Sequence, residues 1–255
     1  MISYYLEVVF LSIVQGVSEF IPISSSAHLI ILSKLGHFSS KSLEIDVSLH
    51  LGSLLAIIFY FSKDLILIFK NKKLLYLILF GSLPLILFGS LIYYFEIVYV
   101  LRNLEIIAWS SLIFGILLFI SDKKEEVRTF RKDISLKRIF VIGLFQILAL
   151  VPGASRSGIV ITAGRFLKFN RVDCAKISFF LSIPALASAS ILGLKEFIYN
   201  DANLDTTIFL SIIFSFIFSY LTIKFLLIYL KKFNLNVFVY YRIVLSLIIF
   251  FIIYY

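Results

Sequence analysis

Six apolar runs, each long enough to cross the hydrocarbon of a bilayer, decide what this chain can become: 43–61, 74–95, 104–120, 172–194, 206–229 and 237–255. A spanning helix needs about 20 apolar residues, each rising about 1.5 Å. Of the 255 residues 61% are apolar and 15% charged, against about 45–50% and about 25% in ordinary soluble domains. A soluble protein of that composition could not cover its own surface, so the solvent is largely lipid.

Two further apolar stretches are broken. Residues 8–14 run into QGVSEFIPISSSAH and resume at Leu29; residues 139–151 run into PGASRSG and resume at Ile159. The pieces fall well short of a ~20-residue span. Each stretch reads as a re-entrant hairpin, two short helices meeting at a polar, proline-containing turn. Irregular backbone at membrane depth is tolerated only where protein or water satisfies it, so the two turns should line one wet cavity.

Loop charge orients the spans. Lys63, Lys70, Lys72 and Lys73 outweigh Asp64; SDKKEEVRTFRKDISLKR is net basic; Arg165, Lys168, Arg171 and Lys176 outweigh Asp173; Lys231 and Lys232 follow the fifth span. In the alternate loops Glu96 and Glu105 outweigh Arg102, and Glu196, Asp201 and Asp205 outweigh Lys195. Cytoplasmic loops collect Lys and Arg, so the loops starting at Lys63, Asp122, Arg165 and Lys231 are placed in the cytoplasm and both termini outside. The first hairpin then dips in from outside and the second from inside, each followed by three spans. The expected architecture is an all-α integral membrane protein with six transmembrane helices plus two re-entrant helical hairpins in an inverted-topology repeat. It forms one membrane domain, 1–255: a first half 1–121 with hairpin 4–36, a cytoplasmic linker 122–136, and a second half 137–255 with hairpin 138–168. A sparse echo at an offset of 130 supports the repeat, with Pro22 on Pro152, Ser25 on Ser155, Ser48 on Ser178 and Leu51 on Leu181. A pseudo-two-fold axis would bring the two turns together near mid-membrane.

The net charge of +9 is read chiefly as this topological bias. With no basic run apart from the spans, nucleic acid is not an expected partner. Cys174 is the single cysteine and should pack as a small apolar residue. The N-terminal MISYYLEVVF lacks a basic leader and a small-residue cleavage site, so it is expected to belong to the fold. Arg242 lies near the start of the last span, where it can snorkel to the interface; Tyr254 and Tyr255 suit an aromatic belt. Trp109 and the many phenylalanines are expected to face lipid or pack. Lys34 and His37 are placed in an interfacial loop, and Asp46 with His50 in helix-end hydrogen bonding or an outer-cavity contact.

The turns carry the chemistry. Glu19 and Arg156 each sit in an apolar hairpin, where an ionised group costs about 2.5–3.5 kcal/mol or more, so each needs a partner or water. Ser24, Ser25, Ser26 and His28 follow Pro22, where a helix restarts; Ser is a favoured N-cap, and a helix N-terminus suits phosphate. His28 lies three residues beyond Ser25 on the same helical face, placing an imidazole near a hydroxyl that it could activate. The second turn offers Gly153 for close backbone approach, hydroxyls from Ser155 and Ser157, and the Arg156 fork for phosphate oxygens. A guanidinium in apolar surroundings argues for an anionic substrate with a lipid tail. A translocator binding the same lipid without hydrolysis is the alternative.

QGVSEFIPISSSAH and PGASRSG, with the flanking IDVSLHLGSLLA and SFFLSIPA, resemble the motifs of the undecaprenyl-diphosphatase family, also known for bacitracin resistance. Gln15 and Glu19 match its glutamate motif, whose first position is Glu or Gln; Ala27 stands where Gly is common. The resemblance implies a bacterial inner-membrane hydrolase that converts a polyprenyl diphosphate to the monophosphate for peptidoglycan and cell-wall synthesis, its site facing the periplasm. It implies Glu19, Ser25, His28 and Arg156 as catalytic positions, with Gln15, Ser24, Ser26, Gly153, Ser155 and Ser157 binding substrate. It also implies a divalent cation, Mg²⁺ or Ca²⁺, held by Glu19 and the substrate phosphates. Oligomeric state, a homodimer included, is left open.

Overall fold

The computed structural model describes residues 2–35, 43–199 and 206–255, and they are helical nearly throughout. In chain order the helices are α1 (Ile2–Ser18), α2 (Ser25–Leu35), α3 (Leu43–Tyr60), α4 (Ser62–Lys70), α5 (Lys72–Tyr94), α6 (Ile97–Leu101), α7 (Leu104–Asp122), α8 (Phe130–Asp133), α9 (Leu136–Ile147), α10 (Arg156–Phe166), α11 (Arg171–Tyr199), α12 (Thr206–Tyr229) and α13 (Asn236–Tyr254). Five of them, α5, α7, α11, α12 and α13, are long and apolar enough to cross a membrane. A sixth span forms if α3 and α4 count together, although they bend by 74° at Phe61. The chain is therefore a multi-pass membrane protein.

The broken stretches are helix pairs. With 11 or 12 residues, α2, α9 and α10 are about 16–18 Å long, roughly half of a ~30 Å hydrocarbon core. Helix α1 is longer than expected, at 17 residues, because its apolar pattern continues back through Tyr4. Residue 36, the end of the expected first hairpin, and His37 lie outside the described residues, whereas Lys34 belongs to α2 rather than a loop.

Packing relies on small residues, as it must where lipid tails remove the hydrophobic drive between helices. Helix α1 lies on α12, α5 on α9, and α3 between α11 and α12; α7 packs on α13, and α10 on α7, α9 and α11. A Cβ at Gly143 of α9 would strike the Gly81 carbonyl of α5, so only glycine permits that crossing. Ser215 of α12 donates to the Leu49 carbonyl at 2.6 Å, and Ser53 shares hydrogen bonds with Ser215 and Ser219. Cys174 is buried against Gly164. Large apolar side chains such as Phe59, Leu79, Trp109, Phe225 and Ile248 stay exposed, as a lipid-facing surface requires.

The four basic loops gather at one end. Arg171 binds Asp122 at 2.6 Å, Lys168 binds Glu125 at 3.2 Å and Arg131 lies 3.6 Å from Asp64. Asp122 also accepts from the Leu235 N–H at 3.0 Å. The start of α7 and the end of α13 meet elsewhere, where Tyr254 donates to Glu105 at 3.2 Å.

Candidate functional site

Each helix pair turns through a serine in the left-handed region, Ser24 at φ 77° and Ser155 at φ 68°. Each serine caps the helix that follows: the Ala27 N–H donates to Ser24 Oγ at 3.4 Å and the Gly158 N–H to Ser155 Oγ at 3.2 Å. Each cap hydroxyl also meets a serine two residues on, Ser26 at 3.2 Å and Ser157 at 3.1 Å. The match between turns thus runs at an offset of 131, one more than the sequence echo, and the partner of Ser155 is Ser24 rather than Ser25. In the second turn Gly153 adopts φ +92°, with Ser110 and Ile107 of α7 filling the space of any Cβ.

The turns are fastened to each other. Ser157 Oγ donates to the Ile21 carbonyl at 3.0 Å, and Ser110 Oγ to the Pro152 carbonyl at 2.5 Å. Arg242 of α13 inserts between them. Its guanidinium donates to Pro22 O at 3.3 Å, Ala154 O at 3.0 Å, Gly153 O at 2.8 Å and Ser111 O at 3.2 Å. The expected snorkelling of Arg242 is thereby corrected: it is fully buried, because the carbonyls freed by two broken helices supply the polar surroundings that the interface would otherwise give.

Glu19 is the hub. Arg156 pairs with its Oε1, while Ser25 Oγ donates to its Oε2 at 2.6 Å and Gln15 Nε2 donates to the same oxygen at 3.0 Å. Both charges are shielded, with side-chain exposures of 6% for Glu19 and 15% for Arg156. They satisfy each other across the two turns, which neither hairpin could do alone. Arg156 also donates to the Ser182 carbonyl of α11 at 3.2 Å.

His28 does not take the place expected beside Ser25. Its Nδ1 lies 2.6 Å from the Ser24 carbonyl and its Nε2 2.5 Å from Tyr241 Oη, with the two rings stacked. A carbonyl only accepts, so Nδ1 carries a proton. Ser25, as the first residue of α2, has turned to the carboxylate instead. Ser24, Ser155 and Ser157 are buried, Ser25 is partly exposed and Ser26 is exposed.

Among the expected residues, then, Gln15, Glu19, Ser25 and Arg156 form one bonded cluster; Ser24, Ser26, Gly153, Ser155 and Ser157 shape its two rims; and His28 stands at the edge with Tyr241. Sequence reasoning missed Tyr241, undistinguished among many tyrosines. It treated His50 as peripheral, yet His50 Nδ1 lies 3.0 Å from Gln15 Nε2. An ionisable residue inside an apolar span is a site candidate by default, and that signal was present in both Arg242 and His50. Among the described residues no group of three or more His, Cys, Asp and Glu side chains gathers as a metal cage. The Gln15 carbonyl oxygen is buried without a hydrogen-bond partner, while the amide nitrogen of the same side chain faces Glu19 and His50.

Fold and cluster together define a polytopic membrane protein with a polar site built from two broken helix pairs. The chain belongs to the bacitracin resistance protein BacA family, whose model matches residues 8–248. It is 54% identical to the undecaprenyl-diphosphatase of Pelagibacter ubique (strain HTCC1062) over the whole of both chains. It is 41% identical to that of Elusimicrobium minutum (strain Pei191), covering 94% of this chain and 95% of the relative, and 38% identical to that of Saccharophagus degradans (strain 2-40 / ATCC 43961 / DSM 17024), with the same coverage.

Proposed function

We propose that this protein hydrolyses undecaprenyl diphosphate to the monophosphate and inorganic phosphate, in the bacterial inner membrane, recycling the lipid carrier of cell-wall synthesis. One observation carries the mechanism: a serine hydroxyl donates to a carboxylate oxygen whose twin is held by an arginine. Ser25 Oγ attacks the terminal phosphorus and its proton passes to Glu19 Oε2. The bond from that phosphorus to the bridging oxygen breaks, and the lipid monophosphate leaves. Water then attacks the phosphoserine phosphorus, Glu19 returns its proton to Ser25 Oγ as the bond from phosphorus to Oγ breaks, and phosphate leaves with the water's oxygen and protons. The Arg156 N–H groups not engaged by Glu19 and Ser182 grip phosphate oxygens, joined by Ser24, Ser26 and the first-turn N–H groups of α2 and α10. Ser155, Ser157 and Gly153 serve by holding the second turn against the first. His28 Nε2 exchanges a proton with the phosphates at the rim through the Tyr241 hydroxyl bonded to it. Positioning and charge neutralisation supply most of the acceleration.

A divalent cation fits the donor set through its one carboxylate: Glu19 would hold it, with substrate phosphates completing its shell. When bound, it would neutralise phosphate charge.

The reading includes six spans and two re-entrant hairpins in an inverted repeat. In its favour, α1 lies on α12 as α9 lies on α5, the relation expected if an axis exchanges the halves, and both turns share one capping pattern. The 1–121 and 137–255 halves, joined by 122–136, follow from it. The basic loops share one end, so by charge bias that end is cytoplasmic and the site opens outward. Translocation without hydrolysis finds no support in the relatives' names. The test is phosphate release from undecaprenyl diphosphate by purified protein, with and without chelator. Wild type should turn over and Ser25→Ala should lose about 10²–10⁴-fold, the scale of a lost reacting or proton-transfer group. Near-normal release by Ser25→Ala would eliminate the serine mechanism.

A further inference from the structure

We infer that His50 is a positioning residue of the hydrolytic site, acting through Gln15 on the carboxylate that receives the Ser25 proton; this rests on the roles proposed above for Glu19 and Ser25. Glu19 Oε2 already accepts from Ser25 Oγ at 2.6 Å. The Gln15 atom that faces it at 3.0 Å must therefore also be a donor, which fixes that atom as the amide nitrogen. The same nitrogen stands 3.0 Å from His50 Nδ1. An amide NH₂ has two hydrogens and no accepting power, so Nδ1 presents a lone pair and the imidazole carries its proton on Nε2.

His50 thereby adds a second acceptor that holds Gln15 in the orientation Glu19 selects. An amide can rotate and exchange its nitrogen for its oxygen, and the oxygen would face Glu19 Oε2 with lone pair against lone pair. The acceptor on α3 holds one N–H, and the geometry then delivers the other to the carboxylate. Gln15 is fully buried, so its amide relies on neighbouring side chains for acceptors. The same constraint turns the unpartnered Gln15 oxygen away from both groups. A carboxylate at position 15 would have no hydrogen to give Nδ1. An acceptor at position 50 is thus matched to an amide at position 15.

The test compares acceptors of different chemistry at position 50 in the phosphate-release assay. His50→Leu removes the acceptor and should lower kcat about 10- to 100-fold, the scale on which a supporting hydrogen bond around a reactive group acts, with KM within about threefold of wild type. His50→Gln offers a carbonyl oxygen to the same N–H and should restore most of that loss. In a Gln15→Ala background, His50→Leu should cause little additional loss, because the route to Glu19 is already cut. Thermal unfolding of each variant in detergent separates a folding defect from a site defect. If His50→Leu keeps wild-type kcat, or if His50→Gln is as impaired as His50→Leu, the positioning role is overturned. Additive losses in the double variant overturn it as well. Ser25→Ala run alongside keeps the two readings apart: its inactivity with intact His50→Leu sinks only this inference, whereas its normal turnover sinks the mechanism on which the inference rests.

Discussion

The two turns follow one template and end in opposite conditions. In the second, hydrogen bonds run in a single direction, from the Gly158 N–H to Ser155 Oγ, on to Ser157 Oγ, and from there to the Ile21 carbonyl of the first turn. Every hydroxyl in that chain is consumed inside the protein. In the first, the corresponding path runs from the Ala27 N–H to Ser24 and stops at Ser26, which is exposed. The first turn also brings a carboxylate with a serine already bonded to it, while the second brings only the guanidinium. One turn is chemically open and the other is committed to holding it. Shared local chemistry, proline then a left-handed serine cap, therefore does not imply a shared role; where the last hydroxyl points decides that.

The sharpest way to break this comparison is to ask whether Glu19 and Arg156 are chemistry or mere mortar. A buried pair that only ties elements together can often be exchanged for neutral groups at little cost in stability. We expect Glu19→Gln/Arg156→Met to remain folded, with an unfolding temperature close to wild type, and to lose about 10³-fold or more in phosphate release, since it deletes both a base and an anion donor. Retained turnover in the folded double variant would reduce the pair to a structural bridge and leave the first turn no more reactive than the second.

That pairing was the most legible part of the sequence. Two charges in separate apolar hairpins cannot be left alone in lipid, so Glu19 and Arg156 had to find each other or water. The spans were legible for the same reason, as apolar length leaves few choices. The bend at Phe61 was not, because nothing in the run 43–61 marks it. The spacing of Ser25 and His28 puts them one turn apart on α2, but proximity on a helix does not choose partners. Ser25 opens α2 and is free to reach back to Glu19, while the Ser24 carbonyl draws His28 away. Arg242 was misread because its distance from the end of a span permits snorkelling, and only tertiary structure brings the carbonyls of both turns to it.

Arg242 tests how far the two turns depend on a common strut. It touches the second turn twice, through Gly153 and Ala154, and the first once, through Pro22. Arg242→Met keeps much of the side-chain volume and removes every donor. Leaving buried carbonyls unsatisfied costs about 1–3 kcal/mol per group, moderated by whatever water enters, so an unfolding temperature lowered by several degrees is expected. Turnover should fall about tenfold as Arg156 shifts from Glu19. An unfolding temperature and turnover both unchanged would mean that Ser157 and the Glu19–Arg156 pair fasten the turns without Arg242.

The smallest effects should separate the two caps. Glycine adopts positive φ freely and costs an N-cap only a few tenths of a kcal/mol relative to serine, so Ser24→Gly and Ser155→Gly should both leave stability within about 0.5 kcal/mol of wild type. Their consequences for turnover differ. In Ser155→Gly the Ser157 hydroxyl loses the neighbour that steers its proton to Ile21, and the contact between turns loosens. In Ser24→Gly the Ser26 hydroxyl, already exposed, loses only an intra-turn contact and still reaches the phosphate. A kcat lowered about two- to threefold by Ser155→Gly, beside a KM raised by a similar factor in Ser24→Gly, would fit one turn that holds and one that binds. The opposite assignment of the two effects would mean that the hydroxyls of the second turn, not the first, meet the substrate.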